Sequence, residues 1–131
     1  MKIRVYYEDT DAGGIVYHTN YIKYCERARS ELFFEKNSTP TDGKNSGFVV
    51  RNIDANFIGM ASLGDIVEVK TKLIKKRATS ILLKQFIILK DKIIFDMNIL
   101  LVFVRDGKPA KIPQYLSEII IPKESLCQKK P

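Results

Sequence analysis

Glu8 and Asp11 stand three residues apart, just ahead of a Gly13–Gly14 pair and of His18, the one histidine of the chain. Directly beyond them the sequence takes on helical spacing. A carboxylate just before a helix N-terminus has a plain chemical use. It can attack an activated carbonyl or activate water against it, while the free N–H groups of the first helical turn hold the developing oxyanion. Each residue also has a quieter reading. Aspartate is common in turns ahead of helices, glycines serve any sharp bend, and a lone histidine is usually a packing residue. A metal centre is not expected, because one histidine and two distant cysteines, Cys25 and Cys127, have no ligand spacing.

The elements that must hold these residues follow from the hydrophobic pattern. Lys2 to Glu8 alternates like a half-buried strand, with Ile3, Val5 and Tyr7 against Lys2, Arg4 and Tyr6. Ala12 to Gly14 breaks it. From Asn20 to Lys36, Tyr21, Tyr24/Cys25, Ala28 and Leu32 recur at helical spacing, and Thr19 or Asn20 is the natural N-cap. Asn37 to Gly47 is polar and glycine-rich, a loop. Strands are expected over Phe48 to Phe57, Ile66 to Ile74, Ile81 to Lys90 and Ile93 to Arg105, with tight turns at Lys90-Asp91-Lys92 and Asp106-Gly107. A short strand over Ala110 to Ile112 and a helical turn from Pro113 complete the series. One strand, one long helix, then a meander is an α+β domain without βαβ alternation.

Ile81 to Leu89 and Ile93 to Val104 carry apolar residues on both faces: Phe95, Met97, Ile99, Leu101 and Phe103 beside Leu100, Val102 and Val104. One helix covers one sheet face, so oligomerisation through the sheet is the expected fate of the other.

At 131 residues, 45% hydrophobic and 28% charged, the chain is expected to be one globular domain over residues 1–131, with 123–131 a flexible tail. Ile99 to Val104 is its longest apolar run, far short of a membrane span. The alternating N-terminus leaves no room for a signal peptide, and there is no disulfide framework, which favours the cytoplasm. The net charge of +7 arises wholly in residues 61–131, where fourteen Lys/Arg face seven Asp/Glu. Lys70, Lys72, Lys75, Lys76 and Arg77 form its densest point, either a lysine-blunted sheet edge or a phosphate site.

The run Tyr7-Glu-Asp-Thr-Asp11-Ala-Gly-Gly-Ile-Val-Tyr17-His18-Thr-Asn20-Tyr21, followed by Cys25-Glu-Arg-Ala-Arg29, resembles hotdog-fold acyl-CoA thioesterases. The nearest type is the YbgC-like group within the 4-hydroxybenzoyl-CoA thioesterase family. Chain length, the element order and the Lys76-Arg77-Ala78-Thr79-Ser80 turn fit as well, so the likeness covers essentially the whole chain. It implies a hotdog fold: an antiparallel sheet of five or six strands wrapped around one long central helix. It implies sites at the interface of a homodimer, which pairs into a dimer-of-dimers tetramer in some relatives. Asp11 is then the catalytic carboxylate, and the backbone N–H of His18 polarises the thioester carbonyl. Gly13 and Gly14 let the backbone approach the substrate. Val16, Tyr17 and Tyr21 line the acyl pocket, while Lys76, Arg77 and Ser80 meet the nucleotide of coenzyme A. Glu8 and Asp9 are expected behind the site or facing solvent, and Glu26, Arg27 and Arg29 in ion pairs along the helix or between protomers.

The resemblance implies acyl-CoA as substrate, a role in lipid metabolism, no cofactor and no integral membrane association, with acyl carrier protein a candidate partner. Two other readings compete. A hotdog dehydratase pairs a loop histidine with a helix carboxylate; here the carboxylate comes first, which disfavours it. A non-catalytic basic domain binding acyl carrier protein or RNA fits the charge. However, basic residues interleaved with exposed aromatics, the mark of a single-strand binder, are not evident, and nucleic acid is not expected.

Overall fold

A computed structural model describes residues 1–120; the tail expected over 123–131 lies outside the described residues. The strands are β1 (Lys2–Arg4), β2 (Ser46–Phe57), β3 (Ile66–Lys76), β4 (Ser80–Leu89), β5 (Lys92–Arg105) and β6 (Lys108–Pro109). The helices are α1 (Thr19–Phe34) and α2 (Gln114–Ile120). The sheet is antiparallel in the order β1-β3-β4-β5-β2, with β6 added to the end of β5, and α1 lies across it. This is the α+β hotdog arrangement that the sequence implied.

Period-two alternation fixes which side of the sheet meets the helix. Ile81, Leu83, Gln85 and Ile87 of β4, and Phe95, Met97, Ile99, Leu101 and Phe103 of β5, are buried against Tyr21, Tyr24, Cys25, Ala28 and Phe33 of α1. Phe33, rather than Leu32, closes the buried stripe. The helix stops where Asn37 turns left-handed (φ 53°) and the Ser38 N–H bonds back to the Phe33 carbonyl, a Schellman ending with asparagine in glycine's usual place. Lys90–Asp91 and Asp106–Gly107 both have positive φ at two successive residues, which makes each hairpin a tight two-residue turn.

Four expectations change. The first strand ends at Arg4 instead of reaching Glu8, because Tyr7–Asp9 coils into a short 3-10 turn that bonds to itself. His18, not Thr19 or Asn20, is the residue before the first helical turn, and no side chain caps that end. The last sheet pairing is at Lys108–Pro109, while Ala110 and Ile112 are tied to the sheet by single bonds to the Phe103 and Ala78 carbonyls. The outward face is apolar only in part. Lys70 and Lys72 of β3, Lys84 of β4, and Asp96 and Asn98 of β5 interrupt it, leaving Leu82, Leu100, Val102 and Val104 as its greasy end.

Exposed apolar side chains gather elsewhere, on β2 and the loop after it: Val49, Val50, Phe57, Ile58, Met60 and Leu63. β2 is also the last strand of the sheet. No helix among the described residues is long and apolar enough to cross a membrane.

Candidate active site

Asp11 opens a tight reversal of the chain. Thr10 and Val16 pair as an isolated antiparallel bridge, the Asp11 N–H donates to the Ile15 carbonyl, and the Gly14 N–H donates to the Asp11 carbonyl. Inside the turn, Asp11 Oδ1 accepts the Gly13 N–H at 2.8 Å, while the side chain stays exposed. Both glycines have local reasons. Gly14 sits at φ +77°, and a Cβ on Gly13 would stand 3.3 Å from Asp11 Oδ1. A bulkier residue at position 13 would crowd the carboxylate the turn presents.

Two neighbours fix this turn in space. From one side the 61–65 loop clamps it: the Val16 N–H bonds to the Ala61 carbonyl, Ile15 bridges Ser62, and the Leu63 N–H bonds to the Gly14 carbonyl. From the other, the Asp9 carbonyl accepts both the Tyr17 N–H (3.0 Å) and Asn20 Nδ2 (2.9 Å). Asp9 itself is buried, with Oδ2 on the Tyr6 N–H at 2.9 Å. It is an anchor, not a solvent-facing residue, whereas Glu8 is exposed. Asn20, expected as an N-cap, instead ties the helix start to the Asp9 backbone. In sequence Asp9 looks like any member of an acidic run and Asn20 like any cap, so nothing there distinguishes these tasks.

An α-helix leaves its first four N–H groups without intrahelical partners. Here the Asn20 N–H reaches the Tyr17 carbonyl and the Tyr21 N–H reaches that of His18. Those of His18 and Thr19 have no partner among the described residues. This is the place where the helix dipole favours negative charge. The His18 ring is exposed and lies 4.6 Å from Tyr17 and 5.8 Å from Phe57, centroid to centroid.

The expected pocket residues divide. Tyr17 is half exposed beside His18, whereas Val16 and Tyr21 are buried in the core. The Tyr21 ring stacks on Phe95, and its hydroxyl accepts the Ala61 N–H at 3.0 Å. Burial raises the Tyr21 pKa above its ordinary 10.0. One helical turn on, the Tyr24 hydroxyl is sealed in the core near the Asp9 carboxylate, though no bond between them meets hydrogen-bond geometry. Burial first, then Asp9, pushes its pKa up.

Lys76, Arg77 and Ser80 lie in the β3–β4 turn, where the Arg77 N–H bonds to the Ser80 carbonyl and both cationic side chains are exposed. The Asp11 turn touches the chain just before β3, through Ser62 and Leu63, so the two features stand at opposite ends of an eleven-residue strand. Ten steps at 3.3 Å put them about 33 Å apart along one chain. The fold therefore places Asp11, Gly14, Tyr17 and His18 within one short reversal of the chain ahead of α1, and Lys76, Arg77 and Ser80 at the far end of β3. Among the described residues Glu26, Arg27 and Arg29 form no ion pair, and Arg105–Asp42 is the one seen.

The chain is similar to several known proteins. Residues 13–93 match the family model described as Thioesterase superfamily. The acyl-CoA thioesterase YbgC of Helicobacter pylori is 51% identical over 85 residues, 65% of this chain and 63% of that one, so the match spans somewhat under two thirds of that relative. The acyl-CoA thioester hydrolase YbgC of Escherichia coli is 34% identical over 117 residues, 86% of this chain and 87% of the relative. Among solved structures, a probable thioesterase from Bartonella henselae superposes with a TM-score of 0.80 at 27% identity, covering 86% of this chain and 97% of that one.

Proposed function

The chain belongs to the thioesterase superfamily, and on that premise we propose that it hydrolyses acyl-CoA thioesters to a carboxylic acid and coenzyme A through Asp11 and the N–H of His18. The observation that carries this reading is the Asp11 turn itself: an exposed carboxylate, held by Gly13 and Ile15, in the reversal that leads into a helix start with two N–H groups unpartnered among the described residues. The thioester carbonyl oxygen would face the His18 N–H, which strengthens its hold as the oxygen becomes an oxyanion. Asp11 either attacks the carbonyl carbon, giving an anhydride that water then opens, or takes a proton from the water that attacks. Either way the C–S bond breaks, the sulfur leaves as thiolate and is protonated, and the net change is addition of one water. The His18 ring is not needed for the polarising role, which belongs to the main chain.

The separation of the basic turn from Asp11 bears on assembly. In one protomer, Lys76 and Arg77 are too far along β3 to meet the phosphates of a substrate whose carbonyl lies at Asp11. Their proposed partnership with Asp11 therefore requires a second copy of the chain. The exposed apolar residues of β2, together with its place at the sheet edge, make β2-to-β2 pairing the natural join. A dimer is the minimal active unit on this reading; a tetramer, cytoplasmic location, a place in lipid metabolism and acyl carrier protein as partner remain extensions of it.

Asp11→Asn tests the chemistry. Asparagine keeps an Oδ1 to accept the Gly13 N–H, so the turn and the melting temperature should survive. Thiol release from a panel of acyl-CoAs should fall by about 10²–10⁴-fold. A folded Asp11→Asn protein with wild-type turnover would defeat the assignment, and a wild-type protein that cleaves no thioester of any chain length would favour a binding role.

A further inference from the structure

Arg29 is a guanidinium in the wrong surroundings for a charge. It is 9% exposed, and burial lowers its pKa. Among the described residues its one hydrogen bond is from Nη1 to Gln85 Oε1 at 2.8 Å, and no carboxylate lies within ion-pair distance. The acceptor is pre-set. Gln85 is fully buried, and its Nε2 donates to the Cys25 carbonyl (3.0 Å) and to Thr71 Oγ1 (3.1 Å), which turns its oxygen toward Arg29. A guanidinium carries five N–H donors in a planar fork. One neutral acceptor does not offset the hydration that a buried cation gives up.

The same residue borders a cavity of about 330 Å³ between the C-terminal half of α1 and strands β2 and β5. Phe33, Phe48, Leu101 and Ile120 supply apolar walls, with half-exposed Val50 beside them. This volume falls in the range of small-molecule sites, which pair apolar lining with a few polar groups. Glu26 also borders it, but it is exposed to water and makes no ion pair with Arg29. Glu26 still acts on Arg29 electrostatically and holds its pKa up, but the exposed Glu26 charge is the more strongly screened of the two.

We propose that this cavity binds a carboxylate-headed amphiphile, a medium-chain fatty acid in its simplest form, with the carboxylate on the Arg29 fork and the alkyl chain along the aromatic wall. Charge complementarity selects the head group, since a carboxylate matches two parallel N–H donors. The apolar walls select the tail. Arg29 lies eleven residues beyond His18, about 16 Å along the helix axis, so a carboxylate held there is not one poised at the Asp11 turn. Within one protomer the site is thus a ligand position apart from the Asp11 turn, and octanoate binding there does not depend on whether thioester hydrolysis occurs.

Calorimetric titration of the full-length protein with octanoate, octan-1-ol and acetate tests this. Octanoate should bind, with octanol and acetate each at least about tenfold weaker because each lacks one of the two recognition elements. Arg29→Met should weaken octanoate by tenfold or more, Arg29→Lys by less, and Asp11→Asn should leave it unchanged. Since Arg29→Met alters a buried network, Leu101→Phe provides an independent check by filling the cavity without touching the charge; it too should abolish binding. The proposal is overturned if octanoate fails to bind at millimolar concentration, if octanol binds as tightly, or if binding survives in folded Arg29→Met and Leu101→Phe proteins.

Discussion

Removing one oxygen from the core, by Tyr21→Phe, should loosen the candidate site from behind. The ring would remain packed, since its contacts with Phe95 (5.5 Å), Phe57 (6.3 Å) and Tyr24 (6.4 Å) are made by carbon. What is lost is the acceptor for the Ala61 N–H, a donor on a residue with no exposure at all. A buried donor left unsatisfied costs about 1–3 kcal/mol, and sparing the hydroxyl its own desolvation recovers part of that, so a net loss of about 1.5 kcal/mol is expected. For a chain of this size the melting temperature should fall by roughly 5 °C. The damage should be local. Ala61 also offers its carbonyl to the Val16 N–H, so exchange of the Ala61 and Val16 amides should accelerate about tenfold relative to core amides of β4. Thioester turnover should fall modestly, because the Asp11 turn leans on the same loop. Scanning calorimetry and amide exchange by NMR check both parts. A melting temperature within about a degree of wild type, with unchanged protection at Ala61, would refute the reasoning.

Two further outcomes follow from the same structure. Burial pushes the Cys25 thiol from 9.0 up to about 12, and it also raises the Tyr21 and Tyr24 hydroxyls above 10.0. From about pH 9 the unfolded chain therefore sheds protons that the folded chain keeps, and stability falls as pH rises; Cys25 alone accounts for about 1.4 kcal/mol by pH 10. Urea midpoints between pH 8.5 and 10.5 should drop, less steeply in Cys25→Ala, and a flat wild-type profile would count against these burials. Separately, the double variant Lys76→Glu/Arg77→Glu should raise the KM for acyl-CoA about tenfold with kcat unchanged, while leaving acyl-pantetheine, which lacks the nucleotide phosphates, unaffected. An unchanged KM for acyl-CoA would remove the basic turn from the site.

Legibility varied with how local the cause was. The long helix, the four main strands and the two-residue turns at Lys90–Asp91 and Asp106–Gly107 could be read because period and turn chemistry are properties of neighbouring residues. So could the Asp11 turn, whose two glycines and aspartate bond to one another. The end of β1 could not: Val5 and Tyr7 continue the alternation, but the Asp9 carboxylate captures the Tyr6 N–H and coils the chain. Helix-capping rules favoured Thr19 or Asn20, yet Asn20 was drawn to the Asp9 carbonyl eleven residues back, a competitor that no local window contains.

The sequence by itself determined the class of fold, the carboxylate to test and the helix start that follows it, since these depend on residue types and short spacings. Only the tertiary structure decided which pieces share a corner. The length of β3 separates the basic turn from the Asp11 turn, although the resemblance assigns both to one substrate. Packing α1 across the sheet also buries Arg29 against Gln85, fifty-six residues away, where the family resemblance implies an ion pair along the helix or between protomers. Charge and hydrophobicity are written along the chain, but burial belongs to the assembled layers, and burial turns an ordinary arginine into a cation in need of an anion.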